Sequence, residues 1–580
     1  MISSWQNLRG CIFVAFAAVV VILASLPFAD SAFDDDWAYA HVARVLQQTG
    51  QIHYNGWGAS IGWFQSAWGA LLISVFGFSF DVLRLGTAPF AMGCAVLVYL
   101  LARKAGLRES SGIFAAVAVT TSPYFIPLAA SFMGDIYGLF FTELCLYCGV
   151  VALTSSTPRR AIPWMTACAI SGVIGGTTRQ SVWPAVFAAL GVVIHQNRKQ
   201  RDLVRWGVGC VLFCGAVLWG AEYWFGRQPN REFDSVGLES AKRFLSDPSI
   251  SISATVAVLF TVLLYAAPAL LSFLSGIRVI GMKPVLLFLA ATLLFIGFLT
   301  TIGQTSVAPF IPNMVTENGI LTSGVTLLGK RPVILSFSVR VAITAGLYLA
   351  ALLAWAVSQE TAKKTPPAAA EDSWLGVRLL LLSFAVLYLV LIFVRANSGF
   401  TFDRYAIPLM PVAFIWILKR CERLRFQIPA VAWAAAAIFA AFGVGITHDY
   451  YAQLRARESM GKLLQKMGIP RRQLTLGLES DAWAELTWRG FVFNERSAGE
   501  AGRPFGKEHG KEQSAGQSAW WFTHHAPDID PLYFVVASEV SELAPSGLDP
   551  IRFQTWLPMG ESRLLIQKLP TAQTPAAVHK

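Results

Sequence analysis

Charged residues are scarce in this chain of 580 residues, making up 14% of it against 55% for hydrophobic residues. So little charge excludes an ordinary soluble protein, because soluble domains carry close to twice that share. The formal net charge of +11 does not indicate nucleic-acid binding, since the basic residues stand in short clusters between apolar runs, as cytoplasmic loops do. The composition therefore predicts a polytopic membrane protein and no nucleic-acid partner.

Cysteine is also sparse, with eight residues, none of them in the segments that we place on the outer side of the membrane. A disulfide framework is therefore not predicted. Cys145 and Cys148 have CxxC spacing, but they lie in an apolar run, where small packing residues are the simpler interpretation. The chain also shows no internal repeat, which disfavours most secondary transporters.

Apolar runs long enough to cross a bilayer recur along the chain, since a spanning helix takes ~20 residues. A further run at 63–80 is broken by Gly69 and Gly77, and counting it as a span would put the next basic loop outside. We interpret it as an interfacial or re-entrant helix, with Trp57, Trp63 and Trp68 in the headgroup zone. We predict an all-α polytopic fold of about thirteen transmembrane helices, near 11–28, 83–102, 112–129, 136–153, 162–178, 181–195, 206–225, 252–275, 284–302, 334–357, 375–394, 405–418 and 428–447.

The basic clusters also give an orientation. Arg9, the pair at 103–104 and the cluster at 419–425 all fall on one side of the predicted spans, which the positive-inside rule makes the cytoplasmic side. The N-terminus is then cytoplasmic, and the chain's C-terminal part lies outside. We expect a multi-pass protein of a bacterial inner membrane with a periplasmic C-terminal domain.

We divide the chain into three segments, the first of which ends where the composition changes near residue 447. Residues 1–447 form the membrane domain, whose first outer loop covers about 29–81, and 448–570 form a small α/β extracytoplasmic domain, with a tail at 571–580 that we expect to be disordered. Within the second segment, 451–467 is typical of a helix, and 474–478, 533–537 and 563–567 are typical of strands. Gly, Ser and charged residues at 497–519 predict a mobile loop, and 359–374 reads as a flexible linker.

Three adjacent carboxylates, Asp34, Asp35 and Asp36, directly follow the first predicted span. Like charges raise one another's pKa, and desolvation near the bilayer raises them further. A proton-accepting site is one reason to hold such a cluster; the alternative is a simple N-cap for the helix that follows. Asp135, at the outer end of the fourth span, is open to the same two interpretations. Glu143 lies two turns deeper, and we expect it to hydrogen-bond to a neighbouring helix.

Several arginines and lysines also fall at the outer ends of predicted spans. One interpretation is that they snorkel to lipid headgroups. If they converge on an acidic pocket instead, they suggest a bound phosphate, for which arginine is geometrically suited. These outer cations are Arg84, Arg179, Lys330, Arg331, Arg395 and Arg404.

The acidic segments resemble a known family. Segment 35–39 reads Asp-Asp-Trp-Ala-Tyr and resembles the Asp-Glu-x-x-Tyr element of the GT-C glycosyltransferases. The branch is that of the dolichyl-phosphate-mannose–protein mannosyltransferases, which includes bacterial aminoarabinose and lipopolysaccharide-core transferases. Segment 132–135 (Phe-Met-Gly-Asp) resembles the second acidic motif of that branch. Asp36 stands where the family has Glu, and Gly134 where it has Thr.

Two basic segments extend the resemblance. Leu-Arg-Leu at 83–85 is similar to the family's Arg-Leu-Pro element, with Gly86 in place of its proline. Segment 404–411 is similar to its Arg-Tyr-x-x-Pro-x-x-Pro segment. The order and spacing of these elements agree over nearly the whole membrane part, which is more specific than any one motif.

The resemblance implies transfer of a sugar from a polyprenyl-phosphate carrier to a hydroxyl of a glycan or lipid at the outer face, with inversion at the anomeric carbon. The leaving group is already a phosphate, so the chemistry needs a base and cations rather than a strong acid. The resemblance assigns Asp35 as the base. It gives Asp36 or Asp135 the task of orienting the acceptor or raising the pKa of the base.

The same resemblance assigns the departing phosphate to Arg404, Tyr405, Arg179 and Arg84, with a structural role equally open for Arg84. A divalent metal bridging the acidic residues is a further option, as in related oligosaccharyltransferases. No His or Cys ligand spacing supports it, and we predict a site without metal or cofactor. The implied partners are a polyprenyl-phosphate-linked sugar donor, a glycan, lipid or protein acceptor, and membrane lipids.

Three rival functions follow from the same residues. The first is a protein O-glycosyltransferase of the same class, which differs only in its acceptor. The second is a transporter or flippase for a lipid-linked substrate, which predicts charged residues along a path through the membrane; here the acidic residues gather mainly at one face. The third is an inactive binding protein, against which Asp35 and Asp135 both argue.

Overall fold

The computed structural model describes residues 4–231, 247–302, 307–364, 372–396, 401–492 and 520–570, and these are mainly helical. The predicted mobile loop at 497–519 and the predicted disordered tail at 571–580 lie outside the described residues, as does the middle of the predicted linker at 359–374. The helices are α1 Ser4–Ala24, α2 Asp36–Thr49, α3 Trp63–Phe76, α4 Phe80–Leu85, α5 Ala88–Lys104, α6 Glu109–Thr120, α7 Phe125–Ala129, α8 Gly134–Leu153, α9 Pro158–Gly176, α10 Trp183–Gln196, α11 Arg201–Phe225, α12 Ser249–Tyr265, α13 Ala267–Leu270, α14 Met282–Ile302, α15 Phe337–Lys364, α16 Asp372–Arg395, α17 Met410–Arg423, α18 Ala430–Lys466 and α19 Leu478–Arg489.

Within these residues, seven helices are long and apolar enough to cross a membrane, and the bent pair Ser249–Tyr265 and Ala267–Val279 makes an eighth if it is one span. The predicted number of thirteen spans is therefore not confirmed. The predicted spans at 181–195 and 405–418 correspond to α10 and α17, of 14 residues each, which is short of the ~20 that a bilayer takes. Both helices have a proline in their first turn. Proline has no N–H to donate, so it fits the start of a helix and not its interior.

The predicted interfacial helix corresponds to α3, which packs against α2, and its Phe64 ring also contacts Phe90 of α5 and Phe141 of α8. Gly69 does not break α3 but lies in its middle, where a Cβ atom would stand only 2.7 Å from both Ala43 Cβ and Phe132 Cζ. The glycine is therefore where three elements approach one another closely. Gly77 ends the helix with a left-handed φ of 81°.

The C-terminal part is built on the last long helix, α18, which continues without a break from its apolar half into the region that we predicted as a separate domain. The strands are β1 Val315–Thr316, β2 Gly319–Ile320, β3 Leu474–Thr475, β4 Tyr533–Val536, β5 Ala544–Pro545, β6 Ile551–Trp556 and β7 Met559–Lys568. The sheet order is β3-β4-β7-β5, with β6 paired to β7; β3 and β4 are parallel and the other pairs antiparallel. The three predicted strands correspond to β3, β4 and β7, and β5 and β6 were not predicted.

A buried ion pair fastens this sheet region to α18. Arg457 Nη1 lies 2.8 Å from Glu479 Oε2, and the side chains are only 1% and 0% exposed. The Tyr450 hydroxyl donates to the other oxygen of Glu479. Because an unpaired buried charge is costly, α19 is held to one position on α18.

The fold predicts that Gln51 and Gln200 lie on opposite faces of the membrane. Both are exposed, and the membrane part turns back on itself between them through α5, the α6–α7 pair, α8, α9 and α10. We expect Gln51→Cys and Gln200→Cys to react with a membrane-impermeant maleimide from opposite sides of sealed vesicles. A Cys11→Ser background removes the one native cysteine that is not buried. Labelling of both positions from one side would contradict this arrangement.

Candidate active site

A cavity of about 570 Å³ opens where five connecting segments of the chain meet. They are the segments between α1 and α2, α2 and α3, and α14 and α15, the turn between α9 and α10, and the 3-10 helix Asp403–Leu409 that precedes α17. Helix α19 contributes Leu478. The lining side chains that bear on chemistry are Asp34, Asp35, Tyr39, Trp57, Arg179, Arg395, Arg404, Tyr405, Trp521 and His525.

Asp35 stands at the N-cap position of α2, but its side chain makes no capping hydrogen bond. Capping therefore does not account for it. Its Oδ1 accepts a hydrogen bond of 2.7 Å from Trp57 Nε1, and its Oδ2 lies 3.7 Å from Arg404 Nη2. Burial raises the pKa of Asp35 above its usual value, although the charge of Arg404 and the hydrogen bond from Trp57 oppose the rise. The carboxylate is thus held in place and is a stronger base than a solvated aspartate.

Asp34 adopts a backbone conformation that most residues avoid, with φ of 47°. Aspartate tolerates this left-handed region better than most. Asp34 Oδ2 lies 3.4 Å from Arg404 Nη1, and the side chain is 8% exposed. Burial and the neighbouring charge of Asp35 raise its pKa well above the usual value. The sequence assigned no role to Asp34 beyond capping, yet it lines the cavity beside the predicted base.

Arg404 lies among three carboxylates, because its Nε also lies 3.9 Å from Asp135 Oδ1. Burial alone would lower the pKa of Arg404, but the carboxylates of Asp135, Asp34 and Asp35 raise it, so the guanidinium stays charged. Asp403 fixes the backbone beneath it: its two oxygens accept hydrogen bonds from the N–H of Arg404 at 2.7 Å and of Val315 at 2.8 Å. The arginine therefore reaches the cavity from a rigid turn.

Asp135 does not line the cavity, but it pairs with Arg179, which does, at 2.6 Å between Oδ1 and Nη2. The other oxygen of Asp135 is buried and has no hydrogen-bond partner among the described residues. Arg179 passes close to Gly134 and Gly138, where added Cβ atoms would lie 3.4 Å and 3.2 Å from its side chain. At Gly134 the tighter neighbour of an added Cβ would be Gln65 Oε1, at 3.0 Å.

Asp36 and Arg84 are not brought to the cavity, which neither of them lines. Asp36 is fully buried; its Oδ1 accepts the Phe33 N–H at 2.7 Å, and its Oδ2 lies 3.4 Å from Arg84 Nη2. Arg84 also donates to the backbone carbonyls of Ala29, at 2.6 Å, and Ser31. Burial raises the pKa of Asp36 to about 6, opposed chiefly by Arg84. The pair holds the backbone that presents Asp34 and Asp35.

Sequence reasoning missed the contribution of the C-terminal region. Trp521 and His525 reach the cavity from a short 3-10 helix and the residue after it, and the crowding of Trp, Phe and His at 520–525 was a signal that could have been used. Trp57, which we had placed in the headgroup zone, donates to Asp35 instead. Tyr405 lines the cavity as predicted, and the guanidinium of Arg395 lies 5.0 Å from its ring centre.

Glu143 lies apart from this cavity, in the middle of α8. It is 1% exposed, and its carboxylate interacts with the Cys94 side chain of the neighbouring helix α5. This contact is in keeping with the predicted bond to a neighbouring helix. For metals, the described ranges contain no group of three or more His, Cys, Asp or Glu side chains arranged to hold an ion; a reaction without metal stays a prediction.

The family comparison bears on these positions. A model of the family described as dolichyl-phosphate-mannose-protein mannosyltransferase matches residues 63–203, a range that includes Arg84, Asp135 and Arg179. The resemblance to this family is confirmed. The chain is a membrane protein that is similar to this mannosyltransferase family over residues 63–203. No curated protein matches it.

Solved structures show a more distant likeness to mannosyltransferase-like enzymes. ArnT from Cupriavidus metallidurans bound to undecaprenyl phosphate is 14% identical, with a TM-score of 0.39 over 78% of this chain and 72% of that one. Its apo state is also 14% identical, with a TM-score of 0.35 over 80% of each chain. The S. cerevisiae protein O-mannosyltransferase Pmt1-Pmt2 complex bound to the sugar donor is 14% identical, with a TM-score of 0.33 over 38% of this chain. The match spans about a third (33%) of that chain. Likeness at this level supports no statement about substrates.

The buried Asp36–Arg84 pair predicts a large loss of stability when it is broken. Arg84→Met leaves the buried Asp36 carboxylate without its cation, which typically costs about 3–5 kcal/mol. Lys363→Met is the matched control, since it breaks an exposed pair with Glu360 worth about 0–1 kcal/mol. We expect the first variant, and not the second, to unfold at clearly lower denaturant in mixed detergent, followed by tryptophan fluorescence. Equal midpoints for both variants would show that the buried pair does not hold the fold.

Proposed function

We propose that this protein is a glycosyltransferase that moves a sugar from a polyprenyl-phosphate carrier to a hydroxyl of a glycan or lipid at the periplasmic face of a bacterial inner membrane, with inversion. The observation that carries the proposal is the Asp35 carboxylate next to Arg404, with Arg179 lining the same cavity. A base and cations for a departing phosphate are what such a transfer requires. The family resemblance at 63–203 supports the same class of reaction.

In this proposal Asp35 takes the proton of the acceptor hydroxyl. The hydroxyl oxygen attacks the anomeric carbon from the side opposite the phosphate, a new C–O bond forms, and the bond to the phosphate oxygen breaks with its electron pair going to the phosphate. Trp57 holds Oδ1 of Asp35 at 2.7 Å, which leaves Oδ2 to accept the proton. The raised pKa of Asp35 brings its basicity nearer to the working pH, where a base is most effective.

The departing phosphate is assigned to Arg404 and Arg179, with Tyr405 beside them in the cavity lining. Arginine suits this task because its planar guanidinium pairs with two phosphate oxygens at once. Asp135 acts through Arg179, which it holds at 2.6 Å. Asp36 and Arg84 act indirectly, because their hydrogen bonds fix the backbone of the acidic segment.

The rival functions differ in the acceptor that they use and in where they require charged residues. A protein acceptor would need the same base and cations, so only an acceptor assay separates the two enzyme readings. A flippase needs polar groups along its whole path, whereas the charged groups proposed to take part in transfer, Asp35, Arg179 and Arg404, line one cavity. Membranes supplied with a panel of labelled polyprenyl-phosphate sugars test the proposal directly, by showing which label moves and onto what. Movement of the intact lipid-linked sugar across the bilayer without transfer would favour the flippase.

Asp35→Asn is expected to reduce sugar transfer by ~10²–10⁴-fold, the usual contribution of a positioned base, because the amide cannot accept the acceptor's proton. Transfer from the labelled carrier is measured on protein that elutes from size exclusion as the parent does. Asp202→Asn is the control, since this carboxylate is exposed and lies far along the chain in α11. Full activity of Asp35→Asn would exclude Asp35 as the base.

Trp57→Phe is expected to shift the acid side of the pH–rate profile. The base must be deprotonated, so activity falls as the pH drops through the raised pKa of Asp35. The Trp57 hydrogen bond lowers that pKa, so its loss moves the fall in activity to higher pH. Trp63→Phe, in a Trp that packs on Trp224 outside the cavity, should leave the profile unchanged. An unshifted profile in Trp57→Phe would contradict the assignment.

A further inference from the structure

A second cavity, of about 600 Å³, lies on the other side of the β1–β2 segment from the candidate active site. Ile320 lines this second cavity, whereas its neighbour Leu321 lines the first. Arg331 closes the space between them by donating to the backbone carbonyls of both residues. The remaining walls are α18 and the β6–β7 hairpin. The cavity is thus separate from the groups proposed to carry out sugar transfer.

The β6–β7 hairpin is pinned to α18 near the end of the helix's apolar half. Leu557, in the hairpin turn, packs against Gly445 so closely that a Cβ there would lie 2.5 Å from its Cδ1. The Asp449 carboxylate accepts the N–H groups of Trp556 and Leu557, each at 2.7 Å. Our predicted span of α18 ends at residue 447, which would put the hairpin turn at the level of the bilayer surface.

The exposed side chains of that turn fit the same location. Met559 is 89% exposed and Trp556 is 39% exposed. The Trp556 ring stacks on His448, with 3.8 Å between ring centres. Tryptophan is enriched at membrane–water interfaces, where its ring meets apolar chains and its N–H meets water. The turn therefore presents an apolar edge to the lipid, with the cavity directly behind it.

The charges around the cavity are unbalanced towards the positive side. Its two carboxylates are already occupied: Asp449 by the hairpin backbone and Glu561 by Arg552, at 3.1 Å. Lys330 and Arg563 make no ion pair with any residue in the described part of the chain. The cations that line the cavity are Lys330, Arg331, Arg552 and Arg563.

A buried polar atom in the wall also lacks a partner. Gln453 lines the cavity from α18 and is 5% exposed, and its Oε1 accepts no hydrogen bond from the described residues. An unsatisfied buried acceptor costs about 1–3 kcal/mol. A ligand that brings a hydroxyl donor next to its anionic group would satisfy it.

We propose that this cavity binds the headgroup of an anionic phospholipid of the surrounding bilayer. The phosphate lies between Lys330 and Arg563, a headgroup hydroxyl donates to Gln453, and the acyl chains leave past Trp556 and Met559. Binding of this kind tethers the C-terminal sheet region to the membrane surface. The proposal does not depend on sugar transfer.

The test is lipid binding by the full-length chain in neutral detergent, counted by native mass spectrometry. Phosphatidylglycerol is titrated against phosphatidylcholine, and the parent is expected to bind the former more tightly. The double variant Lys330→Gln/Arg563→Gln should weaken phosphatidylglycerol binding about 30-fold, as follows from ~1 kcal/mol for each cation near a membrane surface. Both side chains are exposed, so the variant is expected to fold, and elution as the parent does confirms it.

Lys462→Gln/Lys466→Gln is the matched control. It removes the same charge from exposed positions of α18 that lie ~20 Å or more beyond residue 447. The control should bind phosphatidylglycerol as the parent does, and Lys330→Arg/Arg563→Lys should retain most of the affinity. Equal binding of the two lipids, or equal losses in the two neutralised variants, would overturn the proposal. Displacement of phosphatidylglycerol by millimolar inorganic phosphate alone would mean a site for free anions and would also overturn it.

Discussion

The guanidinium of Arg404 is the group on which the candidate site depends. It lies within 3.4–3.9 Å of carboxylates from Asp34, Asp35 and Asp135, which come from two segments about a hundred residues apart. Three carboxylates this close would repel one another and take up protons if no cation lay among them. Arg404 keeps them together, and the raised pKa values of Asp34 and Asp35 show that the compensation is incomplete. That balance suits a group that has to accept a proton.

Around Arg404, buried charged groups fix the positions of the segments that form the candidate site. Asp36 and Arg84 hold the backbone of the acidic segment from below, and Asp403 holds the turn that carries Arg404. From the other side, Arg457 and Glu479 fix α19, whose first residue lines the cavity. Each pair is costly to bury and more costly to break, so the chain can keep charged groups rigid in a place with little water. The site is therefore assembled by the membrane part and the C-terminal region together.

The cavity next to the hairpin shows a different use of charge. There the cations stand at an exposed rim, and two of them have no carboxylate partner in the described part of the chain. In the candidate active site every arginine discussed has a carboxylate or an aromatic ring beside it. A catalytic group needs a fixed position, whereas a lipid headgroup can be held by mobile side chains. The two cavities thus separate the proposed chemistry from attachment to the membrane.

The sequence by itself determined the class of molecule and much of the candidate site. Its scarcity of charge and its long apolar runs required a membrane protein, and the order of the acidic and basic motifs predicted that Asp35, Asp135, Arg179 and Arg404 would act together. The inference of a membrane protein succeeded because composition is a local property of the chain, whereas the joint action of these four side chains stays a prediction. Only the tertiary structure decided that Asp36 and Arg84 turn away from the cavity and that Trp57 turns towards it. Adjacent residues such as Asp35 and Asp36 point about 100° apart at the start of a helix, and which of them meets water depends on packing partners distant in sequence, such as Phe132. The same holds for α18, whose continuity across the predicted domain boundary rests on contacts with the sheet that follows it.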